Sequence, residues 1–506
     1  MYLSRTILLI GALTTLCGCD SKSWTAPTVS SASVSATAAA SSAAPNSATP
    51  ADMPLTELGA TIVGWMAAGE NAKVRALFDD AMNKAVPTDE AVGKMWSNIE
   101  TMVGKLDRLI ETSEIEKGGY RIVLATCKFE RSPMDVKMVF DKDRHLAGFF
   151  IVATQSANAF GPRPQMPKPP FAYEAREVSY DNAKDKMHFT GTLTLPPGAG
   201  PFPAVLLVTG SGTQDRDETI FGHKPFLLLA DRLTKSGVAV LRVDDPGAGG
   251  STGDAANATI EVHARDAEAG LAFLAAQKEI DKTRLGLIGH SEGGIIAAMV
   301  ASRTKDVAFV VSLAGTGVSG AEINPLQIEA ILRADGKIKE EGIKAVVEAQ
   351  RSLMKLIVKG ADEAALEAGV TAAFATAAKF AATDADKMAT QKEMTASLGA
   401  LNSPWFKSFV KLDPAPYWSK VTVPVLALIG DKDTQVPADV NLAAIKAALG
   451  KAKNAAAVTE KLPGLNHLFQ PAKTGLLDEY ATIETTFDEK ALDRVVDWVT
   501  AHTKGK

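Results

Sequence analysis

The residues best suited to chemistry lie in Gly289-His290-Ser291-Glu292-Gly293, a G-x-S-x-G pentapeptide. The apolar run Leu285–Ile288 before it reads as a short buried strand, and Ile295–Val300 after it begins a helix-like stretch. A serine between strand and helix, with small residues on both sides to let the backbone pass, sits on a strained turn that lifts its hydroxyl out of the sheet. There a base can reach it. Five positions match by chance in many chains, and a tight turn with a capping serine would look the same. The strand before and helix after make Ser291 a candidate nucleophile.

A hydroxyl is a weak nucleophile at neutral pH and needs an adjacent base, itself oriented by a third group. Of the seven histidines, His467 has the right setting: Pro463-Gly464-Leu465-Asn466-His467 follows the apolar-polar run Ala457–Leu462, expected to be the last strand. A histidine on that final loop can lean over the carboxyl edge of a parallel sheet. His290 adjoins the serine, but the turn should aim its side chain away. His145, His188, His223, His263 and His502 lack such a setting. The acid should lie in Gly430-Asp431-Lys432-Asp433-Thr434-Gln435-Val436-Pro437, after another strand-like run. Asp433 is chosen because G-x-x-D-x-x-V-P carries it clear of the strand end; Asp431 is the alternative, and both could be turn formers or helix caps. The chain order Ser291, Asp433, His467 is that of α/β-hydrolases. Two backbone N–H groups are needed to hold an oxyanion. Glu292, next to the serine, and Ser211, in the loop Thr209-Gly210-Ser211-Gly212, are the candidates.

These residues require a parallel sheet to carry them. Apolar runs of four to eight residues at 204–208, 238–243, 285–288, 307–313 and 425–429, mostly separated by helix-length intervals, argue βα units. Residues 177–180 and 188–195 read as an opening antiparallel pair. About a hundred residues rich in Ala, Lys and Glu separate Leu313 from Val423. Helices fit at 321–334, 343–358 and 363–380, so a helical insertion spanning about 316–420 is expected at the edge of the site, either covering it or standing beside it. The fold class is therefore α/β, an α/β-hydrolase fold over residues 173–506 with a helical cap.

Ahead of it, Leu58, Ile62, Trp65 and Met66 recur at helical spacing, as do Val74, Leu77, Phe78 and Met82 and then Val92, Met95, Trp96 and Ile99. Residues 120–129 and 134–140 are β-rich. A small α+β accessory domain over 55–155 follows, joined to the hydrolase unit by a Pro-rich connector at 156–172. Cys127 reads as a core residue. Residues 1–19 read as a secretory signal, with Arg5 in front of the apolar core Ile7–Leu16, too short for a comfortable membrane span. Residues 20–54 are dominated by Ser, Ala, Thr and Pro, with no charge between Lys22 and Asp52, and form a tether. The signal ends Leu16-Cys17-Gly18-Cys19, which resembles a bacterial lipobox. That resemblance implies lipidation of Cys19 and a membrane-hung protein in the bacterial cell envelope, facing the periplasm or the exterior. An ordinary cleaved signal is the alternative.

From about Pro201 to Trp498 the chain resembles a family of bacterial α/β-hydrolases of the serine esterase type. The matching blocks are GSGTQDRDE (210–218), DDPGAGGSTG (244–253), GHSEGG (289–294), SPWFKSFVKLDPAPYW (403–418), GDKDTQVP (430–437) and LNHLFQ (465–470). The resemblance implies the triad Ser291, Asp433 and His467. It departs at Thr209, where the family usually has histidine, and at Pro246, where it has arginine. The small unit resembles a module often found ahead of such enzymes.

The expected reaction is acyl transfer on a small-molecule carboxylic ester through an acyl-enzyme. A serine peptidase or thioesterase would use the same triad, because leaving-group preference lives in pocket shape. A lyase or perhydrolase, or a non-catalytic binding lipoprotein, are further readings. Trp405, Phe406 and Phe469 are candidate pocket residues, or else they pack the insertion on the sheet. Arg216 could meet a substrate carboxylate or belong to an ion-pair cluster. A net charge of −5 over 506 residues, with no basic stripe, argues against nucleic-acid binding. No cofactor, metal ligand set or protein partner is expected.

Overall fold

The computed structural model describes residues 53–504 except 118, 131, 155, 157, 158, 162, 381–398 and 400. The expected signal, Cys19 and the tether up to residue 52 lie outside the described residues. The chain divides into two compact units, the second beginning at Arg163.

The first unit is helices followed by a sheet. Helices α1 (Leu55–Ala68), α2 (Asn71–Arg75), α3 (Asp80–Ala85) and α4 (Asp89–Val103) precede strands β1 (Leu106–Lys117), β2 (Tyr120–Phe129), β3 (Pro133–Phe140) and β4 (Leu146–Ala153). The strands form an antiparallel meander in sequence order. Helix α1 stops at Gly69, whose φ of +75° is the left-handed cap that glycine supplies. Helix α4 starts on Thr88, whose hydroxyl accepts the Ala91 N–H. Leu58, Ile62 and Met66 from α1 meet Phe129, Val136 and Phe140 in one core. Cys127 is fully buried in that core, and burial pushes its thiol up to about 12, which leaves it protonated and unreactive.

The second unit is built on an eight-stranded sheet. Its strands are β5 (Glu174–Asn182), β6 (Met187–Leu195), β7 (Phe202–Val208), β8 (Ala239–Val243), β9 (Ile280–His290), β10 (Val307–Leu313), β11 (Val425–Gly430) and β12 (Ala457–Leu462). The order is β12-β11-β10-β9-β7-β8-β6-β5, parallel from β12 to β8 and antiparallel at β6 and β5. The central strands are apolar on both faces. In β7, Ala204 and Leu206 join the core on one side of the sheet, while Val205 and Leu207 join the other. Helices α6 (Ile260–Ala275), α7 (Glu292–Ala301) and α13 (Ala438–Lys451) pack on the first side. Helices α5 (Pro225–Lys235) and α15 (Glu489–Thr503) pack on the second.

The insertion between β10 and β11 contains α8 (Gly320–Asp335), α9 (Glu340–Lys359), α10 (Glu363–Ala378), α11 (Pro404–Lys411) and the single turn α12 (Ala415–Trp418). Their buried faces, including Ile328, Val346, Leu353 and Phe374, are continuous with the core beneath the sheet. The later part of the Pro-rich connector is bound to this unit. Arg163 donates to the carbonyls of Phe221 and Ala481 at 2.8 and 3.1 Å, and Gln165 donates to the Phe487 carbonyl at 2.8 Å while accepting the Thr486 N–H at 2.7 Å. The last two short elements are α14 (Leu477–Tyr480) and the 3₁₀ turn Ala255–Asn257.

Candidate active site

Strand β9 runs straight into α7, and Ser291 is the one residue between them. Its φ of +54° and ψ of −117° are a conformation a serine holds only under external constraint. The constraint is visible. Ser291 N–H donates to the Leu313 carbonyl at 2.8 Å, and its own carbonyl accepts the Gly294 N–H at 3.0 Å. The flanking glycines are dictated by close approach. A Cβ on Gly289 would lie 2.0 Å from the Gly293 carbonyl oxygen, and one on Gly293 would lie 2.1 Å from that of Val208.

Asp433 follows the end of β11. Its Oδ1 accepts the N–H groups of Gln435 and Val436 at 2.8 and 2.7 Å, which pins the carboxylate in a tight turn. Its Oδ2 lies 2.7 Å from His467 Nδ1, and both side chains are buried. An ionised carboxylate can only accept, so Nδ1 carries the proton and Nε2 of the neutral ring is left with its lone pair. Asp431 is exposed and instead accepts the Gly464 N–H at 2.6 Å. The loop carrying His467 is folded around Asn466, whose Oδ1 accepts the N–H groups of Leu468 and Gln470 at 3.0 and 2.9 Å.

The loop after β7 closes on the serine from the other side. A Cβ on Gly210 would sit 3.2 Å from the Ser291 Cβ. Thr209 Oγ1 donates to Asp245 Oδ1 at 2.7 Å, and the Gln214 N–H donates to Asp245 Oδ2 at 2.9 Å, so Asp245 supports the loop from beneath. Burial pushes the Asp245 carboxyl up to about 8. Among the described residues the backbone N–H groups of Ser211 and Glu292 have no protein acceptor, the latter because it opens α7. Two free donors beside a lifted serine suit an oxyanion.

The Glu292 side chain does something sequence did not suggest. It is buried, with Oε2 accepting Ser211 Oγ and Trp405 Nε1, both at 2.8 Å, and Oε1 3.1 Å from His263 Nδ1. Burial pulls His263 down, but the hydrogen bond to Glu292 and the charges of Glu292, Asp245 and Asp266 together leave its pKa raised. One carboxylate thus ties the loop after β7, helix α6 and the cap helix α11 together. Glu292→Gln should lower unfolding free energy by about 1–3 kcal/mol, because an amide offers one acceptor oxygen where the carboxylate offers two to Ser211 Oγ, Trp405 Nε1 and His263 Nδ1. Urea denaturation checks this, and an unchanged midpoint would mean that these three contacts add nothing to stability.

The three aromatic pocket candidates sit in packing positions. Trp405 is spent on Glu292 and stacks on Phe409 with centroids 5.7 Å apart. Phe406 is fully buried on α11. Phe469 stacks on Phe487 with centroids 5.1 Å apart on the opposite side of the sheet. Trp405 and Phe406 thus join the cap to the core on one side of the sheet, while Phe469 packs in the core on the other. Arg216 is likewise occupied, by Glu177 at 2.5 Å and Asp244 at 2.7 Å. The charged residues Glu218 and His263 were not singled out from sequence. Glu218 ends the block GSGTQDRDE, which was a usable signal, whereas His263 sits unmarked on α6.

A serine on a strand-to-helix elbow, with a buried Asp–His pair on the last two βα loops, defines the α/β-hydrolase class. The comparison with family models agrees: the Alpha/beta hydrolase family model matches residues 205–474, more than half of the chain. The protein belongs to that family. Residues 60–149 match a family described as a protein of unknown function, DUF3887. Esterase EstD of Thermotoga maritima is 28% identical over 238 residues, covering 45% of this chain and 54% of its own length. Acyl-coenzyme A thioesterase 1 of Mus musculus is 27% identical over 168 residues, covering 32% of this chain and 36% of its own. The chain therefore spans about half the length of the first relative and about a third of the second. Among solved structures, the Pyrococcus furiosus esterase PF2001 aligns with a TM-score of 0.41 at 15% identity, over 65% of this chain and 92% of that one.

Proposed function

We propose that the protein is a serine hydrolase cleaving carboxylic esters through Ser291, His467 and Asp433. The observation that carries this reading is the buried 2.7 Å His467–Asp433 contact, with the His467 carbonyl 3.0 Å from His290, the residue before a serine held at φ +54°. His467 Nε2 takes the hydroxyl proton as Ser291 Oγ bonds to the ester carbonyl carbon. The Ser211 and Glu292 N–H groups hold the resulting oxyanion. His467 then protonates the leaving alcohol as the carbon–oxygen bond breaks, and water, deprotonated by the same ring, releases the acid and restores Ser291.

The mouse relative named as a thioesterase makes acyl thioesters the second substrate class to test. A panel of short- and long-chain nitrophenyl esters, acyl-CoA thioesters and aminopeptidase substrates separates the classes. The expected result is highest kcat/KM on esters; faster turnover of acyl-CoA or of aminoacyl amides would move the assignment.

We also propose that the protein hangs from a membrane of the bacterial cell envelope by a lipid on Cys19, with residues 20–54 as tether. The lipobox-like end of the signal and the long uncharged stretch after it support this. In cells fed labelled palmitate, the wild-type chain should take up label and Cys19→Ser should not. Label retained by the variant would exclude the anchor.

A further inference from the structure

Ser291 depends on two loops of different origin, one bearing the Ser211 N–H and one bearing the His467 ring. We infer that His290 and Glu218 form a buried ionic clamp that ties these two loops together across the nucleophile, with His290 held as an imidazolium. The inference rests on the serine-hydrolase reading, because it assigns the pair a positioning role in that reaction.

The contacts run in one line. The Gly210 N–H, one residue before Ser211, donates to Glu218 Oε1 at 2.8 Å. The same oxygen lies 2.8 Å from His290 Nδ1. His290 Nε2 lies 3.0 Å from the backbone carbonyl oxygen of His467. His290 is itself the residue before Ser291, so the clamp is anchored on the nucleophile elbow. A backbone carbonyl only accepts, so Nε2 carries a proton. The Glu218 Oε1 that faces Nδ1 already accepts the Gly210 N–H, so it is placed to accept from a second proton on Nδ1 as well, while Glu218 Oε2 is buried with no partner among the described residues. Both side chains are nearly inaccessible to water.

The charges facing His290 are Glu218 from the loop before α5 and, across the base loop, the His467 ring at 4.7 Å between centroids with Asp433 behind it. Phe226, Leu313, Leu468 and Phe469 line the remaining wall with apolar surface. Burial opposes a charge on His290, but Glu218, the His467 carbonyl and Asp433 together leave its pKa raised. Glu218 and Phe469 adopt φ values of +53° and +59°, so both loops are held in backbone conformations that need external support. Such a pair, buried and satisfied at both ring nitrogens, does more than fill space: it transmits the position of one loop to the other.

Two measurements test the clamp. Nitrogen NMR of ring-labelled histidine in the wild-type protein, with His290 assigned through its contact to the His467 ring, reads protonation directly. At about pH 8, well above the ordinary histidine value of about 6.5, the His290 ring should still carry both protons. Kinetics of Glu218→Gln, His290→Gln and the double variant on a nitrophenyl ester should show kcat down about 10²-fold, with KM within about threefold of wild type. The double variant should be no worse than the poorer single one, because either change opens the same clamp. A His290 ring with one proton, a loss carried by KM, or single losses that add would each overturn the clamp. The NMR reading uses wild-type protein and stands even if a variant does not fold. Absence of any Ser291-dependent turnover in the wild type would instead remove the hydrolase reading, while ring protonation would still decide whether the ionic pair exists.

Discussion

Ser291→Ala is expected to lower kcat for ester hydrolysis by on the order of 10⁶-fold when chemistry is rate-limiting. The size follows from what remains. His467 would still face Asp433, and the Ser211 and Glu292 N–H groups would still be available, but no group would form the acyl-enzyme. Residual turnover would come from water attacking a bound, polarised ester. The variant should fold normally. The elbow is held by backbone hydrogen bonds and by the glycines at 289 and 293, none of which involves the serine hydroxyl. Burst and steady-state assays on a nitrophenyl ester, with circular dichroism as a folding control, measure the effect. Activity equal to wild type would dispose of the mechanism.

The two aspartates after β11 should then separate sharply. Asp433→Asn should lower kcat by about 10⁴-fold. An asparagine can keep the Gln435 and Val436 N–H bonds through its oxygen, which turns its NH₂ toward His467 Nδ1. Nδ1 must then accept, the proton moves to Nε2, and the ring can no longer take a proton from the serine. Asp431→Asn should stay within about threefold of wild type, because its oxygen can still accept the Gly464 N–H and its side chain is exposed. Steady-state kinetics on both variants decides the matter, and the reverse ranking would reassign the acid. The two substitutions remove the same charge two residues apart, so a general electrostatic effect would move them together.

Much of the hydrolase unit was legible because its signals are local. Strands β7, β10 and β11 are apolar on both faces, so they read as nearly continuous apolar runs without any alternation to decode. The cap helices at 321–334, 343–358 and 363–380 lie within α8, α9 and the neighbourhood of α10, since amphipathic spacing marks a helix wherever it packs. Strand β1 was not foreseen. Its sequence, LDRLIETSEIEK, alternates apolar residues with charged and polar ones that disfavour strands, and it is held by its long pairing with β2. The acid was narrowed to two residues by spacing alone; the turn geometry around Asp433 separates them.

What sequence determined by itself was the set of chemical parts and their order: a serine on an elbow, an acid and a histidine on later loops, and a glycine loop ahead. Periodicity and turn residues act over a few positions, so they survive without knowledge of the fold. Only the tertiary structure decided which charges meet. Glu218 with His290, and His263 with Glu292, are 72 and 29 residues apart in sequence and carry no local signature of each other. The same holds for Trp405, whose indole N–H is drawn to Glu292 across 113 residues. A buried carboxylate must find donors wherever the chain brings them. Packing around the serine elbow selected those donors, and the elbow's two variable residues, His290 and Glu292, became its supports.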